Sequence, residues 1–160
     1  MNTIKRCQQL GEMTYFIRSL ATVSTDQWRK PIAEGKWSAI EVVAHLHFWD
    51  RYLVEYALPD DFTRETWSEL TIENMNRKAS IWACSGVSCH EVIKQFLTFR
   101  EGLLRFLNRM PPEDWGRTLR MGKHTLTLAE YIQEAIDHDQ HHRSQLEGCF
   151  SENLKGGFVP

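Results

Sequence analysis

Apolar residues recur at intervals of three and four along most of the chain, as in Ile4, Cys7 and Leu10, then Phe16, Ile17 and Leu20, and again in Val92, Ile93, Phe96, Phe99, Leu103, Phe106 and Leu107. At about 100° of turn per residue, that spacing lines one face of a helix. Three Ser/Thr-x-x-Glu boxes precede such runs: Ser38 with Glu41, Ser88 with Glu91, and Thr127 with Glu130. In a box of this kind the hydroxyl accepts from the third helical amide while the glutamate reaches back to the amide of the cap. The pattern predicts four long helices over about 3–23, 38–57, 88–110 and 127–147, the third ended by Pro111-Pro112 and the last by Gly148. A stretch over roughly 64–83 is amphipathic but weakly capped, and with the short turn Asp26-Gln27-Trp28 it reads as connection between the main helices. Alternation with a period of two is confined to Thr118–Thr127, a hairpin or an extended loop. The expectation is an all-α fold, a four-helix bundle with one long crossover.

No linker, low-complexity segment or repeat divides the 160 residues, so a single domain over 1–160 is expected. With 42% apolar and 25% charged residues the composition is that of a chain folding in water. The 19 Lys and Arg against 21 Asp and Glu give a net charge of -2, without the basic excess of nucleic-acid binders. Lys5, Arg6, Glu12 and Arg18 interrupt the first apolar run, so no signal-peptide core is visible there, and no later stretch is apolar enough to span a bilayer. The cytoplasm is the expected compartment. Cys7, Cys84, Cys89 and Cys149 form no Cys-x-x-Cys pair and are expected as free thiols.

Seven histidines carry the candidate chemistry. On the last helix, Leu128, Tyr131, Ile132, Ala135 and Leu146 define an apolar face. His142 lies roughly 40° from its centre, His138 roughly 80° and His141 roughly 140°. His138 and His142 thus stand one turn apart on one side, the spacing at which two imidazoles grip one ion, while His141 suits a boundary or an interface. On the second helix Val42, His45, Trp49, Tyr52 and Tyr56 step by three and four, so His45 points inward and His47 elsewhere. Three neutral imidazoles can hold a divalent ion and leave a position open for water or substrate. The same spacing also fits histidines that are hydrogen-bonded core residues. Asp139 falls near the centre of the apolar face and Glu134 one turn before His138, where either carboxylate could orient an imidazole or accept a proton.

Trp37-Ser38-Ala39-Ile40-Glu41-Val42-Val43-Ala44-His45-Leu46 resembles the second-helix signature of the DinB-like superfamily, and His138-Asp139-Gln140-His141-His142-Arg143-Ser144-Gln145-Leu146 resembles its C-terminal signature. Glu113-Asp114-Trp115 with Thr125-Leu126-Thr127-Leu128-Ala129-Glu130-Tyr131-Ile132 resembles the family's approach to the last helix. The resemblance implies an up-down-down-up four-helix bundle, frequently a homodimer, with a divalent metal held by three histidines; the ligand positions fall on His45, His138 and His142. Zn²⁺ or Ni²⁺ leads among the ions that accept imidazole, with Fe²⁺ and Mn²⁺ also suited. Members include metal-dependent transferases of low-molecular-weight thiols and related hydrolases.

The function expected is therefore a metal-dependent thiol S-transferase or hydrolase acting on a small electrophile, in detoxification or stress response. The competing expectations are a metal- or ligand-binding stress protein without turnover, and an interaction module with structural histidines. Arg51 and Arg143 lie near the proposed ligands as candidate anion contacts or solvated surface residues, Trp49 as a pocket wall or core residue, and Cys149 beyond the expected helix end. No Gly-rich phosphate loop and no nucleophile elbow is present.

Overall fold

The computed structural model describes residues 2–58, 72–121 and 124–151. Its helices are α1 (Thr3–Ser19), α2 (Thr25–Arg29), α3 (Ala39–Tyr52), α4 (Ile72–Cys84), α5 (Cys89–Arg109) and α6 (Leu128–Cys149), with a hairpin of β1 (Thr118–Met121) and β2 (His124–Thr127) before α6. The bundle consists of α1, α3, α5 and α6: α1 packs against α5 and α6, and α3 packs against the same two. Consecutive bundle helices α1 and α3 therefore sit on a diagonal, and α3 and α5 run the same way, as the up-down-down-up order requires. The hairpin pairs antiparallel with Thr118 opposite Thr127 and Met121 opposite His124.

Local chemistry sets the boundaries. The Ser38 amide donates to Glu41 Oε2 at 2.9 Å and its hydroxyl to the same oxygen at 2.7 Å. Thr127 makes the full reciprocal box with Glu130, at 2.7 Å from the Thr127 amide and 3.2 Å from the Glu130 amide. At Ser88 the hydroxyl half forms, with the Glu91 amide donating at 3.1 Å, but the Glu91 carboxylate accepts from Gln95. Helix α1 ends at Ser19 in a 3-10 turn over Leu20–Thr22, short of the expected 23, and α3 passes at Tyr52 into a π-helical turn over Leu53–Ala57.

Two expectations need correction. Gly148 does not end the last helix, which runs to Cys149; the following Phe150 is fully buried with its ring 5.4 Å from that of Trp28, and this anchorage outweighs the weak helix propensity of an exposed glycine. The segment read as connection contains a helix of 13 residues, α4, packed on α3 through Ala79 and Ala83. Residues 59–71, the first part of that segment, lie outside the described residues. Because α4 covers a flank that the four-helix outline leaves open, α3 is buried almost all round, including His47, whose ring lies among Phe48, Trp82 and Phe99 at 5.1–5.3 Å.

Glu41 joins two helices of this arrangement, since its Oε1 accepts from the Ser80 hydroxyl of α4 at 2.6 Å while Oε2 caps α3. Replacing it by alanine removes a cap and a buried-side hydrogen bond, and is expected to cost about 2 kcal/mol. Urea denaturation of Glu41→Ala beside wild type measures this, and an unchanged midpoint would show that the α3–α4 junction does not depend on the carboxylate.

Candidate metal centre

The three histidines singled out in the sequence come together. His45 of α3 places Nε2 3.0 Å from Nε2 of His138, and His142 places its own Nε2 3.0 Å from the same atom. All three nitrogens lie within 4.8 Å of one another. His45 and His142 are buried and His138 is half-buried. The helical repeat explains the pairing on α6, and the antiparallel run of α3 against α6 brings His45 opposite the turn that carries them.

Proton bookkeeping shows what this cluster fits. The Gln145 carboxamide bridges two rings: its Oε1 lies 2.8 Å from His142 Nδ1, and its Nε2 lies 3.1 Å from His141 Nε2. The amide nitrogen can only donate, so the oxygen accepts from His142 Nδ1–H, leaving His142 Nε2 with a lone pair. His138 Nε2 faces two nitrogens, yet can donate one proton or accept one. Two hydrogen bonds cannot both be made there, whereas a cation accepts all three lone pairs at once. Protonation is opposed as well: burial, with the neighbouring His138 and His142, lowers the pKa of His45 to about 3, and burial with His142 and His141 lowers His138 to about 4. The pKa of His142 is also lowered, mainly by burial. The donor set is that of a divalent metal centre of borderline hardness.

Beneath the histidines lies a charge cluster that crosses the bundle. Arg100, 2% exposed, donates from Nε to Asp50 Oδ2 at 2.6 Å, from Nη2 to Asp50 Oδ1 at 3.2 Å and to Asp139 Oδ1 at 3.1 Å, and from Nη1 to the Leu10 carbonyl at 3.1 Å and to Asp139 Oδ2. All five guanidinium protons are used. Burial raises the pKa of Asp50 to about 6 against the opposing pull of Arg100, and the two carboxylates hold the Arg100 pKa above its ordinary value despite burial. Tyr131, close enough to Asp50 to feel its charge, has a phenol raised by burial first and by that charge second. Asp139 thus has both oxygens engaged, while Glu134 is exposed at the cavity.

A cavity of about 410 Å³ opens beside His45 and His138, with Leu46, Trp49, Leu53 and Ala135 as apolar walls and Tyr131, Glu134 and the Arg100 cluster as polar lining. Trp49 is therefore both a wall and a partner of His45, ring centroids 6.4 Å apart. Other candidates lie apart from it. His141 is exposed; Arg51 pairs with Glu55 and Arg143 with Glu147, each at 2.8 Å; Cys149 is not in the histidine cluster and packs against the core. Arg100 and Asp50 were not picked out from sequence, although each interrupts an apolar stripe: Phe96, Arg100, Leu103, Leu107 on α5 and Val43, Leu46, Asp50 on α3, continued by Leu53 in the π-helical turn.

The profile of the DinB superfamily matches residues 12–146, most of the chain. The protein belongs to the DinB superfamily. Among solved structures this member is similar to YfiT from Bacillus subtilis, at 18% identity and a TM-score of 0.69, over 94% of this chain and 86% of that one. That protein is described as a probable metal-dependent hydrolase with an unusual four-helix bundle topology, and the likeness confirms the fold. No functionally curated protein matches the sequence. No helix among the described residues is long and apolar enough to cross a membrane.

Two outcomes follow from these charges. Arg100→Met leaves two buried carboxylates facing each other and is expected to destabilise by about 3–5 kcal/mol in urea denaturation, a loss that a merely peripheral ion pair would not produce. His45, His47 and His138, at about 3, about 4 and about 4 when folded, bind fewer protons than their unfolded forms below the ordinary value of 6.5. Their contribution is complete above pH 6.5 and lost as the pH falls toward 4. Asp50, raised from 3.8 to about 6, acts in the opposite sense over an overlapping window, one group against three. The melting temperature in chelator should therefore fall between pH 7 and pH 4.5; a constant or rising value would contradict the burial of these rings.

Proposed function

We propose that the protein is a divalent-metal-dependent enzyme that hydrolyses, or transfers a low-molecular-weight thiol to, a small electrophile. The observation that carries this is the convergence of three imidazole nitrogens at the edge of a cavity large enough for a small molecule. His45, His138 and His142 would hold the ion, Zn²⁺ or Ni²⁺ before Fe²⁺ or Mn²⁺. When bound, it supplies a Lewis acid that lowers the pKa of a water or thiol and polarises an electrophile. His142 is absent from the cavity lining, so substrate approaches along the side of His45 and His138.

The remaining roles belong to the chain's own groups. Glu134 presents the free carboxylate of the cavity and accepts the proton released by the nucleophile. Asp139, held by Arg100 and adjacent in sequence to His138, acts as a fixed charge that positions the ligand helix and favours a cation above it. Tyr131, whose burial keeps the phenol protonated, offers a hydrogen bond to an oxygen of the substrate. Leu46, Trp49 and Leu53 exclude water and receive the apolar part of the molecule. The expected partners are that small molecule and a second copy of the chain, with neither nucleic acid nor membrane involved, in the cytoplasm.

Elemental analysis of untagged protein tests the centre: about one equivalent of metal is expected in wild type and in His141→Ala, and none in the folded His45→Ala, His138→Ala, His142→Ala triple variant. Equal metal loss in His141→Ala would mean that the wrong face of α6 had been assigned. Turnover of electrophilic esters, amides or thiol acceptors that stops on chelation and returns with metal marks the enzyme, and metal bound without turnover would instead support a binding protein. Glu134→Gln is expected to lower kcat by about 10²–10⁴ with metal content unchanged.

A further inference from the structure

Three Nε2 atoms can face one ion only if each neutral ring carries its proton on Nδ1, and a buried Nδ1–H needs an acceptor. Gln145 supplies one for His142. For His45 the sequence offers no such neighbour on α3, and its Nδ1 is buried without a hydrogen-bond partner. One other side-chain atom in the same condition lies next to it: Asn76 Oδ1, on α4, is also buried and unpartnered, and the Asn76 side chain is close enough to the imidazole to act on it as a hydrogen-bond partner. The register of the two helices explains the meeting. Ser80 of α4 donates to Glu41 of α3, Asn76 lies one turn before Ser80, and His45 lies one turn after Glu41, so these antiparallel helices bring position 76 to position 45.

We propose that Asn76 is the positioning residue of His45, its Oδ1 accepting the Nδ1–H and so holding the imidazole in the tautomer that turns the Nε2 lone pair toward His138 and His142. A small rotation of either side chain closes this bond and removes two orphaned buried atoms together. The carboxamide suits the task because it accepts without carrying charge and leaves the ion's charge to the cavity. The centre then has two carboxamide supports: Gln145, one turn along the ligand helix, and Asn76, delivered from a helix that supplies no ligand. This rests on the metal-centre reading above, and gives α4 a part in it.

The test uses the full chain, with Zn²⁺ as the probe and two readouts. Competition against a chromophoric chelator is expected to show Asn76→Leu binding Zn²⁺ about 10–100-fold more weakly than wild type, and Asn76→Asp, which keeps the acceptor, recovering most of that loss. Nitrogen-15 NMR of labelled histidines in chelator reads the tautomer directly, with His45 expected as Nδ1–H in wild type and redistributed in Asn76→Leu. A packing role alone would move neither the tautomer nor the Asp rescue. Wild-type His45 carrying its proton on Nε2 overturns the proposal whether or not any variant folds, as does a folded Asn76→Leu with unchanged Zn²⁺ affinity. Wild type that binds no Zn²⁺ but shows the Nδ1–H tautomer, lost in Asn76→Leu, would defeat the metal reading while retaining this one.

Discussion

All four bundle helices meet at one guanidinium. Arg100 of α5 bonds Asp50 of α3, Asp139 of α6 and the Leu10 carbonyl of α1, so the relative height and rotation of every bundle helix is fixed by directional contacts at one level. Apolar packing alone tolerates sliding by a turn; five N–H vectors in a planar fork do not. Asp139 follows His138 directly, and Asp50 lies five residues after His45, so this constraint also sets the spacing of the rings above it. A buried arrangement of two carboxylates and one cation is a poor source of net stability compared with an apolar core. Its value here lies in alignment.

The cluster also leaves one negative charge in excess unless Asp50 holds a proton, and burial first, with a smaller push from Asp139, raises the Asp50 pKa to about 6 against the pull of Arg100. Three neutral imidazoles beside an anionic cluster form a field suited to a cation. An anionic field by itself would favour protonated imidazoles, but burial first and the neighbouring rings second outweigh it, so the ring pKa values fall and the lone pairs stay available near neutral pH.

The periodicity made the bundle helices and His45, His138 and His142 legible, because each lies on a stripe whose phase a helix of regular pitch preserves. Capping boxes gave the starts of α3, α5 and α6 to within a residue. What escaped was what depends on contacts between elements. Helix α4 lacks a strong start signal and owes its stability to small residues such as Ala79 and Ala83 against α3. Arg100 and Asp50 are charges on core stripes, and their partners are 39–90 residues distant, so nothing local pairs them. The C-terminal end of α6 was misplaced because Gly148 is a reliable stop only where nothing downstream is anchored, and Phe150 is.

The histidine cluster joins positions 93 residues apart, on the second and the last of the four bundle helices. In a zinc finger the ion is bound by a short loop and drives folding; here no fragment lacking α6 can present the set, and a nascent chain carries only one of the three histidines until its final helix emerges. An ion held by this set would be captured only by a completed fold, its selectivity set by a finished, rigid scaffold instead of by a coil open to whichever ion arrives first.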